Sequence, residues 1–304
     1  MTHSFYQSQA RSQAASHREK KANRARMLIS CPDRPGIVAA VSQFLYEQGA
    51  NIVQSDQYSM DPDGGMFFMR LEFDLPDLEQ RIAALQEDFT RVADRFQMRW
   101  SVYRAARRKR IAIFVSKEDH CLLELLWQWQ AGDLDAEISL VIGNHPDMRE
   151  LVESFGIPYH HIPVTPETKP EAERKQLELT KGKVDLIVLA RYMQILTGRF
   201  IEEFPNRIIN IHHSFLPAFV GSKPYQQAYD RGVKLIGATA HYVTEELDGG
   251  PIIEQDVQRV SHRESVSDLK RIGRHIERIV LARAVKWHIE DRILVHKNKT
   301  VVFV

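Results

Sequence analysis

From Ile111 onward, short apolar runs alternate with stretches of helical periodicity, and this rhythm constrains the fold more than any other feature of the chain. Ile111–Val115, Ala136–Ile142, Tyr159–Ile162, Val184–Ala190 and Ile208–Ile211 read as strands, while Asp119–Gln130, Pro146–Phe155, Pro170–Lys181 and Ser265–Glu290 read as helices. Val184–Ala190 carries little polar content, as a strand does when both of its faces are covered. Alternation of this kind implies a doubly wound, mostly parallel sheet of the α/β class. Ligands bind such sheets at the carboxyl ends of the strands, so chemistry is expected just after Ala190 and Ile211.

The residues before Arg104 follow a different order. Met27–Ser30 is a short strand, followed by the turn Cys31-Pro32-Asp33-Arg34-Pro35-Gly36 and a helix-spaced run from Ile37 to Leu45. Asp33 is placed to cap that helix, Pro35 suits its first turn and Gly49 ends it. Asn51–Met60 and Met66–Asp74 form a hairpin about the turn Asp61–Gly65; Pro76–Arg95 is helical and Gln97–Tyr103 closes as a strand. The order βαββαβ is that of a ferredoxin-like α+β sandwich.

At 304 residues the chain has room for about two domains of roughly 150 residues. The expected division is a flexible basic tail over 1–25, a first domain over 26–104, a linker over 105–110 and a second domain over 111–304. The tail is rich in Ser, Gln, Arg and Lys, with Glu19 as its single acid; the alternative reading is an organelle transit peptide. The basic run Arg104–Arg110 has no interleaved aromatic residue to stack on bases, so it reads as a linker rather than a nucleic-acid patch. Basic residues number 41 and acidic residues 40, a balance that gives no reason to expect nucleic acid or a membrane as partner. No apolar run approaches the length of a spanning helix. The two cysteines, Cys31 and Cys121, fit no metal spacing and suit a reducing compartment, hence the cytoplasm, or an organelle matrix if the tail is a transit peptide.

The segment after Ile208–Ile211 holds the candidate chemistry. Asn210 and His212 alternate along a strand end and so project to the same side. An Asn amide can donate to a developing oxyanion, and an imidazole titrates near neutral pH. Asp248, in a loop between two strands, is placed to orient that imidazole. Together they supply an oxyanion donor, an acid–base group and an orienting carboxylate for attack on a carbonyl. No Ser or Cys is placed as a nucleophile, so water or an amine would attack. By spacing alone, adjacent histidines in a turn and an Asp before Gly-Gly-Pro are also ordinary structural features.

Residues 208–217 and 241–253 resemble the signature of the folate-dependent formyltransferase family: Asn-x-His-x-Ser-x-Leu-Pro, then an Asp before a Gly-rich turn and Pro-Ile-Ile. The resemblance implies that Asn210, His212 and Asp248 form the catalytic triad. It also implies that Leu189–Leu196 is the loop around the folate pteridine, with Tyr192, Met193 and Leu196 as pocket walls and Gly249 and His213 at the substrate. Cys31–Val38 is similar to the entry of an ACT domain, a module that binds amino acids and regulates an attached enzyme. An ACT module before a formyltransferase domain is the arrangement of the formyltetrahydrofolate deformylases, and the likeness covers about residues 26–304.

Two departures from the glycinamide ribonucleotide transferases favour the hydrolase. Where those enzymes have a Gly-rich phosphate loop, this chain reads Ser116-Lys117-Glu118-Asp119-His120-Cys121, with no glycine and two acids. His213 stands where they usually have Pro. The C-terminal RNA-binding domain of the methionyl-tRNA formyltransferases is not expected after Trp287–Val304. The implied reaction is hydrolysis of 10-formyltetrahydrofolate by water to formate and tetrahydrofolate, which supplies formate for purine synthesis and balances the one-carbon folate pool. Neither a metal nor a cofactor is expected. A transferase with an unidentified amine acceptor and a non-catalytic folate or amino-acid sensor are the alternatives. For His213 two roles stay open: holding water where an amine acceptor would sit, or packing beside the site. His160 and His161 are expected to be structural; Glu277 aligns loosely with an acidic site residue of the transferases, but His275 and Glu277 are expected to lie on a solvated helix face. The resemblance further implies an amino-acid effector, glycine or methionine, at Asp33, Gly36 and Ile37, and a homo-oligomer.

Overall fold

The computed structural model describes residues 21–61, 64–218 and 223–304. The chain divides into two units. The first holds the described residues up to Arg108 with Glu290–Leu294 and Val301–Val304; the second holds Lys109–Ile289 and Val295–Thr300.

The first unit runs β1 (Arg24–Pro32), α1 (Ile37–Glu47), β2 (Asn51–Ser59), β3 (Met66–Asp74), α2 (Leu78–Phe96) and β4 (Arg99–Arg104). Its antiparallel sheet has the order β2-β3-β1-β4. Met27 lies opposite Leu71 on one side and Val102 on the other, so the alternate residues of three strands meet on one face. The helices cover that face: Phe44 and Phe89 pack edge to face at 5.1 Å, with Leu45, Leu85 and Ala93 buried beside them. This is the ferredoxin-like order expected from the sequence.

Four boundaries differ from expectation. Most of the expected tail lies outside the described residues, and its last positions are already strand, since β1 begins at Arg24 and Ala25 is buried. The linker over 105–110 is not a free connection: the Ala105 N–H donates to the Arg24 carbonyl at 2.9 Å, and Lys109 and Arg110 open a strand. Glu290–Leu294 and Val301–Val304 belong to the first unit, where Arg70 reaches beyond its own sheet to the backbone after α8 and Arg292 holds Phe303. The Arg70 Nε donates to the Asp291 carbonyl at 3.0 Å and its Nη2 to the Glu290 carbonyl at 3.3 Å. Finally, Asp33 does not cap α1. Its carboxylate accepts from the Ser59 hydroxyl, and Gly36, at φ 94°, is the residue that enters the helix.

The second unit runs β5 (Lys109–Val115), α3 (His120–Ala131), β6 (Ala136–Gly143), α4 (Arg149–Ser154), β7 (Tyr159–His161), α5 (Lys169–Thr180), β8 (Leu186–Ala190), α6 (Gly198–Glu202), β9 (Ile208–His212), α7 (Pro224–Arg231), β10 (Leu235–Tyr242), β11 (Ile252–Arg259) and α8 (Val266–Ile289). The sheet order is β11-β10-β9-β8-β5-β6-β7. From β7 to β9 neighbouring strands are parallel; β10 runs antiparallel to both β9 and β11. Every residue of β8 is buried, as its unbroken apolar run requires. Ile187 and Leu189 face a core with Ala172, Phe200 and Phe204, while α8 covers β9, β10 and β11. A closing hairpin, β12 (Ile293–His296) with β13 (Lys299–Val302), follows α8. The chain leaves β5 toward β6 on one side and reaches β8 on the other, so the order of the sheet reverses between β5 and β8, with β9 following β8. The site lies at their carboxyl ends.

Candidate active site

Asn210 and His212 are two residues apart on β9, and Asn210 pairs in register with His241 on β10. A bulge between Ala240 and His241 re-aims the latter side chain. The His241 Nδ1 lies 3.0 Å from the Tyr242 carbonyl, which can only accept, so Nδ1 carries the proton. Burial pushes the His241 pKa down and keeps the ring neutral. Its Nε2 is therefore an acceptor, and the Asn210 Nδ2 donates to it at 3.2 Å. This contact fixes which end of the Asn210 amide is the donor and leaves the second Nδ2 proton for a ligand. The 3.7 Å approach of His241 Nε2 to Asp248 joins two acceptors and is not an ion pair.

Asp248 reaches the site from a loop residue at φ 56°, a left-handed conformation that costs a non-glycine residue about 1–3 kcal/mol. Next to it, Gly250 admits no side chain, since a Cβ there would lie 1.8 Å from the Tyr242 carbonyl oxygen. The Asp248 Oδ2 is 3.2 Å from the His212 Nδ1. That hydrogen bond, outweighing partial burial, holds the carboxyl below the ordinary aspartate range, so it is ionised at neutral pH. His212 is 5% exposed, and its Nε2 is buried with no protein partner. Asn210, His212 and Asp248 thus form one constellation with an anchored imidazole, a free imidazole nitrogen and a free amide proton.

His213 stacks obliquely between His212, with ring centroids 5.3 Å apart, and Tyr225, at 5.9 Å. Burial, reinforced by the Arg191 charge, pushes its pKa down to about 4, so it is a neutral ring beside the His212–Asp248 contact.

Glu277 is not on a solvated face. It is 1% exposed on the inner side of α8 and accepts from the Tyr225 hydroxyl; the His120 Nε2 lies at 2.9 Å and the Arg191 Nε at 3.4 Å. Burial alone would raise its pKa, but His120, Arg191 and Tyr225 together hold it down at about 2. Gly273, one helical turn before it, leaves room for the Tyr225 hydroxyl, which a Cβ would approach to 1.9 Å. His120, Cys121 and Glu277 offer ligand atoms within 4.8 Å of one another, but the Arg191 guanidinium beside Glu277 opposes a second cation there.

The expected folate walls divide. Tyr192 is 2% exposed, its hydroxyl accepts from the Gln176 amide at 2.7 Å, and its ring meets Phe114 at 5.3 Å, so it is a core residue; Leu196 lies in the same core. Met193, at φ 58°, is the exposed member. The Gly249 carbonyl accepts from the Asn298 amide at 2.8 Å. In the first unit no side chain caps α1, whose first turn follows Gly36 and opens with Ile37, and Asp33 is bonded to Ser59 instead. His160 and His161 are on β7, away from the constellation, and His275 pairs with Arg278 on α8.

Sequence reasoning did not select His241, Arg191, His120 or Tyr225. For Glu277 a signal existed: Gly273, Glu277, Val280 and Ala284 share one helical stripe, and the other three are small or apolar.

Both units resemble known proteins. Residues 109–285 match the family described as formyl transferase, and residues 25–90 match the ACT domain. A protein of Bacillus subtilis (strain 168) named formyltetrahydrofolate deformylase is 60% identical, covering 94% of this chain and 96% of that protein. The crystal structure of a formyltetrahydrofolate deformylase from Pseudomonas syringae pv. tomato str. DC3000 superposes with a TM-score of 0.88 at 50% identity, covering 96% of this chain and 99% of the other. Glycinamide ribonucleotide transformylase 1 from Symbiobacterium toebii superposes on 65% of this chain and 95% of its own, with a TM-score of 0.61 at 30% identity.

Proposed function

We propose a hydrolytic reaction from one premise: the chain belongs to the formyl transferase family and, within it, to the formyltetrahydrofolate deformylases. It hydrolyses 10-formyltetrahydrofolate to formate and tetrahydrofolate. The observation that carries the mechanism is the His212–Asp248 contact, which leaves the His212 Nε2 and one Asn210 N–H as the unclaimed polar groups of the constellation.

In the proposed step His212 is protonated, with its Nδ1–H on Asp248. That form presents Nε2–H to the formyl oxygen, and the Asn210 Nδ2 offers the second donor. Water adds to the formyl carbon, and its proton passes to the Asp248–His212 pair. His212 then returns a proton to the folate nitrogen as the carbon–nitrogen bond breaks. His241 positions Asn210 without touching substrate. The loop 116–119 supports water over a phosphate-bearing acceptor: it has no glycine, and Glu118 is held by Arg274 at 3.0 Å. The reaction as drawn needs no metal and no cofactor, and Met193, Gly249 and His213 are the residues proposed to meet the folate.

An amino acid, glycine or methionine, is the proposed effector of the ACT unit, received at the uncapped first turn of α1 by Gly36 and Ile37 near Asp33. The proposed assembly is a homo-oligomer and the proposed compartment the cytoplasm; among the described residues no helix is long and apolar enough to cross a membrane.

The decisive assay is formate release from 10-formyltetrahydrofolate with no amine present. Stoichiometric formate and tetrahydrofolate are expected. Asn210→Ala should slow turnover by about 10²–10³ through loss of one oxyanion donor. Turnover only with an added amine, or near-normal rates in Asn210→Ala and Asp248→Asn, would overturn the mechanism.

A further inference from the structure

We propose that Arg191 is the seat of the carboxylate product: its guanidinium receives formate as the carbon–nitrogen bond breaks. The proposal rests on the hydrolytic reading above. Arg191 follows β8 directly, where the sheet places its ligands, and its backbone is left-handed at φ 61°. A non-glycine residue held in that region at a strand end marks a constraint that the fold maintains for a purpose. The side chain is only 11% exposed, and neither Nε nor Nη1 has a hydrogen-bond partner in the protein. The nearest anion is Glu277, whose Oε2 lies 3.4 Å from Nε and is already claimed by His120 at 2.9 Å. Its Oε1 is claimed by Tyr225.

A guanidinium only donates, so buried, unused nitrogens call for an acceptor and favour a charged one. They do not suit the attacking water, which must keep a lone pair free for the formyl carbon and give its protons to a base. The connection to the His212–Asp248 pair is continuous: Glu277 bonds Tyr225, the Tyr225 ring packs tilted against His213, and His213 packs tilted against His212. The reaction creates an anion at the His212 end of this chain of contacts. A neutral formamide and water become an amine, a formate ion and one released proton. The new negative charge forms beside ionised Asp248, while His213 is neutral. Arg191 is the cation that lets a small carboxylate form there and sets its direction of departure. The guanidinium fork matches two carboxylate oxygens.

The test is inhibition by sodium formate, with sodium chloride at equal ionic strength as control. For the unaltered protein, formate is expected to inhibit where chloride does not. In Arg191→Gln the inhibition constant should rise about tenfold or more, the scale of one lost charge-assisted hydrogen bond. Arg191→Lys, which keeps the charge but not the fork, should fall between. Formate no more inhibitory than chloride, or equal inhibition of Arg191→Gln and the unaltered protein, would overturn the proposal. A spectrum of protein labelled with 15N in arginine keeps the test open if the variants do not fold. One Nε–H resonance should move with formate and not with chloride, and none moving would overturn the assignment. Absence of formate release by the unaltered protein is a failure of the hydrolytic reading, read separately from the formate-induced shift.

Discussion

Arg70 in the first unit and Arg191 in the second are both withdrawn from solvent, and their surroundings differ in kind. Arg70, 1% exposed, donates from all three nitrogens: to the Asp291 carbonyl, to Gln54, and to Glu72 and the Glu290 carbonyl. Arg191 has one long ion pair and two buried nitrogens without a hydrogen bond. A buried charge with every donor matched ties segments together; a buried charge with donors left over is poised for a ligand. The first unit therefore uses its buried cation as a fastener for the chain's end, and the second keeps its own beside the chemistry. The difference predicts unequal costs of removal. Arg70→Ala leaves Glu72 and two carbonyls without their donor and should destabilise the protein by about 3–5 kcal/mol. Arg191→Ala removes only one long pair and should cost about 1–3 kcal/mol. Urea unfolding of both variants decides it, and equal losses would erase the distinction.

The histidines sharpen the same contrast. No histidine occurs between Lys21 and Arg108, whereas in the second unit His241 is buried and His213 and His288 are partly buried. Burial lowers all three pKa values, to about 4 for His213 and about 3 for His288. A histidine whose folded pKa lies below its unfolded value of about 6.5 binds fewer protons folded than unfolded in between. Stability then rises with pH through that window and is lost as pH falls from about 6.5 toward 4, by up to about 1.4 kcal/mol per pH unit for each such ring. The depressed carboxylates, Asp248 and Glu277, add their own loss only below about pH 4.5, where their unfolded forms protonate. Hydrogen exchange at pH 7 and pH 5, corrected for intrinsic rates, should show protection falling in β5–β11 and holding in β1–β4. Parallel loss in both units would show that the histidines do not govern acid stability.

The same division describes what the sequence made legible. Periodicity carried the strands and long helices of both units, because burial on one face leaves a local pattern. The Asn210–His212–Asp248 constellation was legible through its motif. What escaped depended on contacts distant in sequence. The place of Glu290–Leu294 follows from Arg70, which is separated from Asp291 by 221 residues. Tyr192 looked like a pocket wall because its neighbours match a binding loop, and only the Gln176 and Phe114 contacts reveal it as core. Glu277 looked solvated because charge usually means solvent; its partners come from α3, α7 and the end of β8. Asp33 looked like a helix cap, but Pro35 and the left-handed Gly36 delay the helix beyond its reach.

The smallest expected effects come from two glycines, one in each unit, whose replacement by alanine fails for different reasons. Gly273 has ordinary helical geometry, but its new Cβ would lie 1.9 Å from the Tyr225 hydroxyl. Overpacking of that kind costs about 1–3 kcal/mol. It should also move Tyr225 off Glu277 and lower turnover, since the Tyr225 ring supports His213. Gly36 has open space, with only the Phe96 ring edge at 4.0 Å, but its φ of +94° is foreign to an L side chain. Gly36→Ala should therefore cost about 1–2 kcal/mol of backbone strain. It acts at the entrance to α1 and should leave effector-free turnover unchanged while weakening any response to glycine or methionine. Turnover and thermal midpoints measured on both variants separate the two mechanisms. A fall in effector-free turnover in Gly36→Ala equal to that in Gly273→Ala would mean that strain at the α1 turn reaches the catalytic constellation, and the two units could not then be treated as separate in function.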